Sequence, residues 1–195
     1  MSSYRSVGGS NDYRNGYGGY ELKYFFDTEF DEDGHSIDLI SIGIVANDGR
    51  EYYAVNADMD LEKIAKNDWV MKNVMQQLPD ELQWKGKSQI ATEVFEFLTE
   101  KGTPELWAWY ASYDHVVLAQ LWGKMINMPK GIPMYTHDLR SYIDFVGHGK
   151  GLPKQADGHH DALADARHLK VMHDYVKAEA GNKKSWDKSK EFGSW

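Results

Sequence analysis

Cysteine is absent from the 195 residues of the chain, and long apolar runs are absent as well. Without cysteine there is no disulfide framework, no thiolate nucleophile and no thiolate-ligated zinc. The N-terminal stretch lacks the apolar core of a secretory signal, and no run approaches the ~20 apolar residues that a bilayer span needs. These absences predict a soluble, cytoplasmic protein with no membrane partner.

The chain also has fewer basic residues than acidic residues. The chain has 22 Lys and Arg residues against 30 Asp and Glu residues, which gives a formal net charge of −8 at pH 7. Broad binding to a long nucleic acid depends on many contacts between basic side chains and phosphates. The charge balance therefore excludes that mode, and any polyanionic ligand would have to be held locally.

The composition is sufficient for one hydrophobic core, since 42% of the residues are hydrophobic and 13% are aromatic. We predict one domain over residues 21–180. Residues 1–20 are rich in Gly, Tyr and Ser and almost free of aliphatic side chains, which predicts a disordered leader. Residues 181–195 are Lys-rich and without periodicity, which predicts a flexible tail.

Hydrophobic periodicity divides the domain into strands followed by helices. Strands are predicted over 22–26, 37–46, 51–56 and 105–110, with a hairpin turn at Asn47-Asp48-Gly49. Helices are predicted over 68–78, 88–99, 113–125 and 161–178. Three consecutive strands, followed by helices that alternate with at least one further strand, indicate an antiparallel three-stranded meander within an α/β or α+β sheet that helices cover.

Two carboxylates stand close together at the predicted end of the first strand. Asp27 and Glu29 are two residues apart, so the period of a strand points both side chains to one face. Like charges near a sheet core repel each other and are poorly solvated, so one must take a proton or a cation must balance them. Mg²⁺ or Mn²⁺ suits carboxylate ligands better than zinc does.

Two further acidic positions precede or begin helices. Asp114 follows the 105–110 strand, and His160 precedes a helix whose second turn carries Asp165. Taken singly, each has an ordinary structural interpretation: Asp114 complements a helix N-terminus, and Asp161 caps the last helix. Their chemistry becomes informative only when the three stretches are considered together.

Together these stretches resemble the DEDDh branch of the DnaQ-like, ribonuclease H-fold 3′-5′ exonucleases over about residues 23–175. The segments Tyr24-Phe-Phe-Asp-Thr-Glu-Phe, Glu105-Leu-Trp-Ala-Trp and His160-Asp-Ala-Leu-Ala-Asp-Ala-Arg look especially similar to the polyadenylate-specific RNase AS group of actinobacteria and phages. In the middle motif this family often carries Asn shortly before its Asp, where Ser112 stands here.

The resemblance implies an α/β ribonuclease H-like fold, with a mixed sheet in which three antiparallel strands precede parallel ones and helices pack on its faces. It implies removal of nucleoside 5′-monophosphates from the 3′ end of single-stranded RNA, a preference for adenylate and a homodimer. It also implies that four carboxylates hold two divalent cations, Mg²⁺ or Mn²⁺, and that His160 acts as general base beside the catalytic Glu29. The implied metal ligands are Asp27, Glu29, Asp114 and Asp165.

Recognition of adenine needs aromatic planes and a few contacts to the base edge. The candidates for substrate contact lie next to the acidic motifs: Thr28, Phe30, Trp109, Tyr113 and His115. Thr28 alternates away from its acidic neighbours, so we expect its backbone to reach a nucleotide. Trp107 and Trp109 share a strand face and also fit a packed core.

Other interpretations remain open at this point. The same fold and metals fit an exonuclease on single-stranded DNA, because discrimination of the 2′-hydroxyl is a local contact. A catalytically silent RNA-binding module would keep the fold without the reaction. A mononuclear zinc site could be built from His159, His160, Asp165 and His168. The Gly147-His148-Gly149-Lys150-Gly151 stretch lacks the strand and helix register of a phosphate loop, which favours a connector.

Overall fold

In the part of the chain that the structure describes, five strands form one mixed sheet in the order β3-β2-β1-β4-β5. The strands are β1 (Lys23–Glu32), β2 (Ile37–Ala46), β3 (Glu51–Val55), β4 (Glu105–Ala108) and β5 (His137–Asp138). Strands β1, β2 and β3 pair antiparallel, whereas β4 is parallel to β1 and β5 is parallel to β4. This arrangement confirms the predicted mixed sheet, with an antiparallel meander followed by parallel strands.

Six helices accompany the sheet in the computed structural model, which describes residues 22–147 and 149–182. They are α1 (Leu61–Ile64), α2 (Asp68–Asn73), α3 (Lys87–Thr99), α4 (Ser112–Gln120), α5 (Leu139–Val146) and α6 (Ala162–Asn182). Short 3₁₀ turns occur at Met75–Gln77, Glu81–Gln83 and Met125–Asn127. No helix in the described part of the chain has the length and apolar composition needed to cross a membrane.

Alternation along β1 assigns its side chains to two separate cores. Tyr24 and Phe26 are buried in the core that includes Val94 of α3 and Leu118 of α4. Phe25 is buried on the opposite face, in a cluster that draws residues from α5 and α6. Because the period of a strand is two, Thr28 follows the first face whereas Asp27 and Glu29 follow the second. A third cluster packs α1 and α2 against β2 and β3.

Helix α6 lies directly on the sheet at Gly43 of β2. A Cβ atom on Gly43 would lie 2.3 Å from the carbonyl oxygen of Ala162 and 2.4 Å from the Cα of Leu163. Only glycine permits this approach. Since Gly43 is the register partner of Asp27, the close packing brings the first turn of α6 next to the acidic stretch of β1.

Several predicted boundaries are wrong. Strand β1 continues to Glu32, so Asp27 and Glu29 lie inside the strand, because pairing with β2 carries it through polar residues and past a register shift after Glu29. Strand β4 ends at Ala108, and Tyr110 has a left-handed φ of 54°. The predicted 113–125 helix ends at Gln120, ahead of the left-handed Gly123.

Other elements were divided or missed. The predicted 68–78 helix divides at Val74 into α2 and a 3₁₀ turn. Sequence patterns did not indicate β5, α1 or α5, which are short. Helix α6 runs to Asn182, two residues into the predicted tail. The predicted leader and the rest of the tail lie outside the described residues.

Candidate active site

Strand β1 presents Asp27 and Glu29 on the face covered by α6. Glu29 is 8% exposed, and its register partner on β2 is Ser41. Strand β4 pairs with β1 only as far as Phe25, so the two carboxylates lie beyond the carboxyl end of that pairing. The chain leaves β4 at this same end and turns into α4, which brings a third carboxylate to the site.

Asp114 is that third carboxylate, in the first turn of α4 and 4% exposed. Its Oδ1 atom accepts a hydrogen bond from the backbone nitrogen of Thr28 at 2.9 Å and another from the Thr28 hydroxyl at 2.7 Å. Thr28 therefore fixes the orientation of Asp114. Its hydroxyl is engaged inside the protein, as the predicted alternation away from Asp27 and Glu29 required.

The fourth carboxylate, Asp165, lies in the first turn of α6. Its Oδ2 accepts a hydrogen bond from the backbone nitrogen of His160 at 3.0 Å, and its Oδ1 accepts one from Nε2 of Gln155 at 2.6 Å. The Oδ1 of Asp161 accepts a hydrogen bond from the backbone nitrogen of Ala164 at 2.7 Å, which is the capping role predicted for it. These bonds fix Asp165 and His160 relative to each other.

Glu29, His160 and Asp165 converge on one point. Each offers a ligand atom, and these atoms lie within 4.8 Å of one another. Asp27 and Asp114 adjoin this group, because their charges interact with those of Glu29 and Asp165. Within residues 22–147 and 149–182, none of the four predicted metal-ligating carboxylates forms an ion pair with lysine or arginine.

Burial, with neighbouring acidic charges as a smaller cause, raises the pKa values of three of these carboxyl groups, those of Asp27, Glu29 and Asp114. Burial, followed by the charge of Asp165 and then Asp114 and Asp161, raises the pKa of Glu29 to about 8. Burial also raises the pKa of Asp27, and Asp114 is its largest charged contributor. The pKa of Asp114 rises to about 6 through burial, against the lowering effect of its hydrogen bonds. Buried carboxylates without a basic partner fit a centre that holds divalent cations through oxygen ligands.

Two of the candidates for substrate contact pair with each other. The rings of Phe30 and Tyr113 stack with their centroids 5.8 Å apart and their planes at 10°, and Tyr113 is 58% exposed. They form an aromatic surface at the residues that directly follow Glu29 and precede Asp114. Trp109 is half-buried and contacts Tyr110 edge to face.

His115 faces away from the carboxylates toward the segment before β5. Its Nδ1 lies 3.0 Å from the hydroxyl of Thr136, and burial lowers its pKa. Its Nε2 is buried without a hydrogen-bond partner among the described residues. The structure therefore brings Thr28, Phe30 and Tyr113 to the acidic group more directly than it brings His115.

Sequence patterns missed several residues around the site. Burial raises the pKa of Tyr53 to about 12, against a lowering effect of Ser41, and the charges of Asp161 and Glu29 add to the rise. Trp69 of α2 contacts the ring of His160, with centroids 4.8 Å apart. The sequence did offer one signal for Trp69, because this large aromatic residue lies outside the apolar positions of its helix. No sequence signal indicated Gln155, which lies in an irregular segment.

The zinc interpretation receives no support from the geometry. His159 is exposed, and neither it nor His168 belongs to the converging group of Glu29, His160 and Asp165 within the described part of the chain. The 147–151 stretch is not a phosphate loop either, because Gly147 ends α5 in a left-handed conformation with φ of 71°.

Comparison with known proteins agrees with these observations. A family model described as the 3′-5′ exoribonuclease Rv2179c-like domain matches residues 22–177. The chain is 47% identical over 150 residues to two Mycobacterium tuberculosis proteins, 3′-5′ exoribonuclease Rv2179c of strain H37Rv and 3′-5′ exoribonuclease MT2234.1 of strain CDC 1551. Each match covers 75% of this chain and 88% of the relative. A solved structure of S. pombe Pop2p, in an Mg²⁺- and Mn²⁺-bound form, is similar with a TM-score of 0.47 and 13% identity, covering 80% of this chain and 82% of that one.

Proposed function

Because the chain belongs to the Rv2179c-like 3′-5′ exoribonuclease family, we propose that it removes nucleoside 5′-monophosphates from the 3′ end of single-stranded RNA with the help of two divalent cations. The observation that carries this proposal is the convergence of Glu29, His160 and Asp165 beside two further carboxylates, those of Asp27 and the buried Asp114. Membership of this family shows that the chain is a 3′-5′ exoribonuclease. The two-cation mechanism, membership of the DEDDh branch and the RNase AS group, and the adenylate preference are our proposals.

The carboxylates of Asp27, Glu29, Asp114 and Asp165 would hold the cations, Mg²⁺ or Mn²⁺. Hard cations of this kind prefer oxygen ligands, and four carboxylates balance most of the charge of two such ions. When bound, the cations supply positive charge against the phosphate and the leaving 3′-oxygen and make a water molecule easier to deprotonate. The same charge explains how an acidic protein binds an RNA end.

His160 is the general base in this proposal. It lies within reach of the same point as Glu29 and Asp165, and an imidazole exchanges protons near neutral pH. The ring takes the proton of the attacking water. The hydrogen bond from the His160 backbone to Asp165 keeps the base in register with a cation-holding carboxylate, and orientation of this kind contributes strongly to rate.

The stacked rings of Phe30 and Tyr113 support binding of a base at the 3′ end of the RNA. A half-exposed aromatic plane stacks on any base, and contacts to the base edge add selectivity. We propose that this surface, with Thr28 fixing Asp114, receives the terminal nucleotide and favours adenine. Contacts from Trp109 and His115, the homodimer and the cytoplasmic location remain predictions.

The test is a nuclease assay with labelled oligo(A), oligo(U) and DNA oligomers in Mg²⁺ or Mn²⁺. We expect stepwise release of mononucleotides from linear RNA, fastest from oligo(A), and none from circular RNA or in EDTA. Asp27→Asn and Asp165→Asn should nearly abolish release, and His160→Ala should lower the rate by about 10²- to 10⁴-fold. Asp144→Asn, on an exposed part of α5, is the matched control.

The same assay separates the alternatives. Equal decay of oligo(A) and oligo(U) would remove the adenylate preference and leave the exoribonuclease. Faster decay of DNA would favour a DNA exonuclease. RNA binding without release of mononucleotides would indicate a silent binding module and contradict the enzyme.

A further inference from the structure

We propose that Trp69 and Gln77 are positioning residues that hold His160 in its catalytic orientation. This inference rests on the proposed function of His160 as a general base. Both residues belong to the 68–77 segment, formed by α2 and the following 3₁₀ turn, which carries none of the acidic ligands. The segment contacts the loop before α6 at two points, one at the ring of His160 and one at the carbonyl oxygen of His159.

The ring contact is an edge-to-face pair. The centroids of Trp69 and His160 are 4.8 Å apart, and the planes meet at 79°. Aromatic pairs prefer this geometry and gain attraction from it beyond simple burial. Since one side of the imidazole faces Glu29 and Asp165, the indole limits the rotation of the ring away from them.

The backbone contact comes from Gln77. Its Nε2 donates a hydrogen bond to the carbonyl oxygen of His159 at 2.7 Å. The backbone nitrogen of His160, in the same peptide unit, donates to Asp165 at 3.0 Å. His160 has a left-handed φ of 66°, which a residue with a β-carbon adopts only when its surroundings hold it there. The two hydrogen bonds hold both polar atoms of the 159–160 peptide unit, which leads into this strained residue.

The 68–77 segment is itself fixed to the strand that carries Glu29. Nδ2 of Asn67, the residue that caps α2, donates to Oδ1 of Asp31 on β1 at 2.8 Å. Val70 and Val74 are buried against β2 and β3. The segment that packs on the sheet therefore holds Trp69 against His160, although 53% of the Trp69 surface is exposed. A tryptophan held this way at the surface points to a role in the site rather than in the core.

The experiment measures kcat and KM on oligo(A) for Trp69→Ala, Trp69→Phe and Gln77→Ala in the full chain. We expect Trp69→Ala to lower kcat by about 3- to 10-fold with KM unchanged, because an aromatic pair of this kind corresponds to a factor of that size. Trp69→Phe should restore most of the rate. Gln77→Ala should lower kcat by about 2- to 5-fold. Met71→Ala and Gln76→Ala, at exposed positions of the same segment, are the matched controls and should stay within about twofold of the parent.

A double-mutant cycle decides whether the effect passes through His160. In a His160→Ala background, Trp69→Ala should cost less than about twofold further, because the ring that it positions is already gone. Melting temperature and Mn²⁺ affinity should match the parent chain. A fall in both, or an undiminished loss in the His160→Ala background, would reduce Trp69 to a structural residue and overturn the proposal.

The remaining outcomes are equally distinct. A raised KM with unchanged kcat in Trp69→Ala would make the indole a surface for RNA, which also overturns the positioning role. Parental kcat in Trp69→Ala and Gln77→Ala, beside an impaired His160→Ala, would overturn the positioning role alone. Full activity of His160→Ala would remove the general base itself and leave nothing for the two residues to position.

Discussion

One oxygen of Asp114 accepts two hydrogen bonds from Thr28, at 2.9 Å from the backbone nitrogen and at 2.7 Å from the hydroxyl. Both bonds favour the ionised carboxylate and so lower its pKa, whereas burial raises it to about 6. The middle residue of the Asp27-Thr28-Glu29 stretch thus acts on the acidic group from the opposite face of the sheet. It makes Asp114 easier to ionise, and only the ionised form is a good ligand for a cation.

Replacing Thr28 by Val removes the hydroxyl donor and keeps the shape. We expect the pKa of Asp114 to rise, because a hydrogen bond to a charged group contributes about 1.5–3 kcal/mol. The smaller ionised fraction at pH 7 should then increase the apparent Mn²⁺ dissociation constant by about 3- to 10-fold. The difference from the parent should shrink near pH 8.5, where the carboxyl ionises in both. Isothermal titration with Mn²⁺ measures this effect. Thr28→Ser keeps the donor and serves as control, so a loss of equal size in Thr28→Ser would contradict the argument.

The stability of the metal-free protein should fall as the pH rises from about 5 to 8. Folding raises the pKa of Glu29 from 4.5 to about 8, so in this range the folded state binds a proton that the unfolded chain has released. Rising pH removes that proton and with it the stabilisation. Asp27 and Asp114 act in the same direction. In EDTA we expect a decrease in melting temperature of about 5–15 °C over this interval.

Glu29→Gln should flatten this pH dependence, because glutamine does not titrate. Glu62→Gln, at an exposed position of α1, should leave it unchanged. Saturating Mg²⁺ should raise the melting temperature more at pH 8 than at pH 5, since protons compete with the cation at the lower pH. A melting temperature that climbs with pH in EDTA would contradict the raised pKa of Glu29.

Substituting Gly43 by Ala tests the contact between sheet and helix. The new methyl group would meet the backbone of α6 at 2.3 Å, and backbone cannot rotate out of the way. We expect a loss of about 2–4 kcal/mol in the free energy of unfolding, at or above the upper end for an overpacked core, and a fall in activity because α6 carries Asp165. Urea denaturation measures the first effect. In Gly86→Ala the nearest atom is 3.5 Å away, so this control should remain near the parent.

Tyr113→Ala tests the aromatic surface. Loss of a stacking plane costs about 1–3 kcal/mol per base, so KM for oligo(A) should rise by about 5- to 100-fold while kcat changes little. Steady-state kinetics on oligo(A) and oligo(U) measure both the loss and the selectivity. Val116→Ala, a smaller exposed change on the same helix, is the control. An unchanged KM would exclude Tyr113 from the substrate path.

The long elements were predictable because their residues carry a clear period. The β-branched run of β2 forms a buried strand. The helical spacing of α3 predicts a shared face of Ile90, Val94, Phe97 and Leu98, of which Phe97 is partly buried and the other three are fully buried. Strand β5 has two residues, too few for any period to show. The end of β1 was placed too early because its later residues are polar, and pairing with β2 overrides that signal.

The residues of the site likewise divide into those that the sequence predicted and those that it did not. The order and spacing of Asp27, Glu29, Asp114 and Asp165, through the family resemblance that they carry, predict one shared site. The structure brings Glu29 and Asp165 together with His160. The contacts of Trp69 and Gln77 with the His159-His160 loop were not predictable, since they join segments far apart in the chain and follow no spacing rule. Tertiary packing alone determines them.

The two edges of the sheet differ in what they offer to another molecule. Strand β5 exposes only two residues before α5 begins, and the far end of β3 is already covered by a parallel bridge between Asn56 and Lys85. An unpaired strand edge is the usual template for joining two sheets into one. Among the described residues, Glu51–Val55 is therefore the strand along which two copies could join their sheets edge to edge. A dimer that forms in any other way must rely on contacts between side chains.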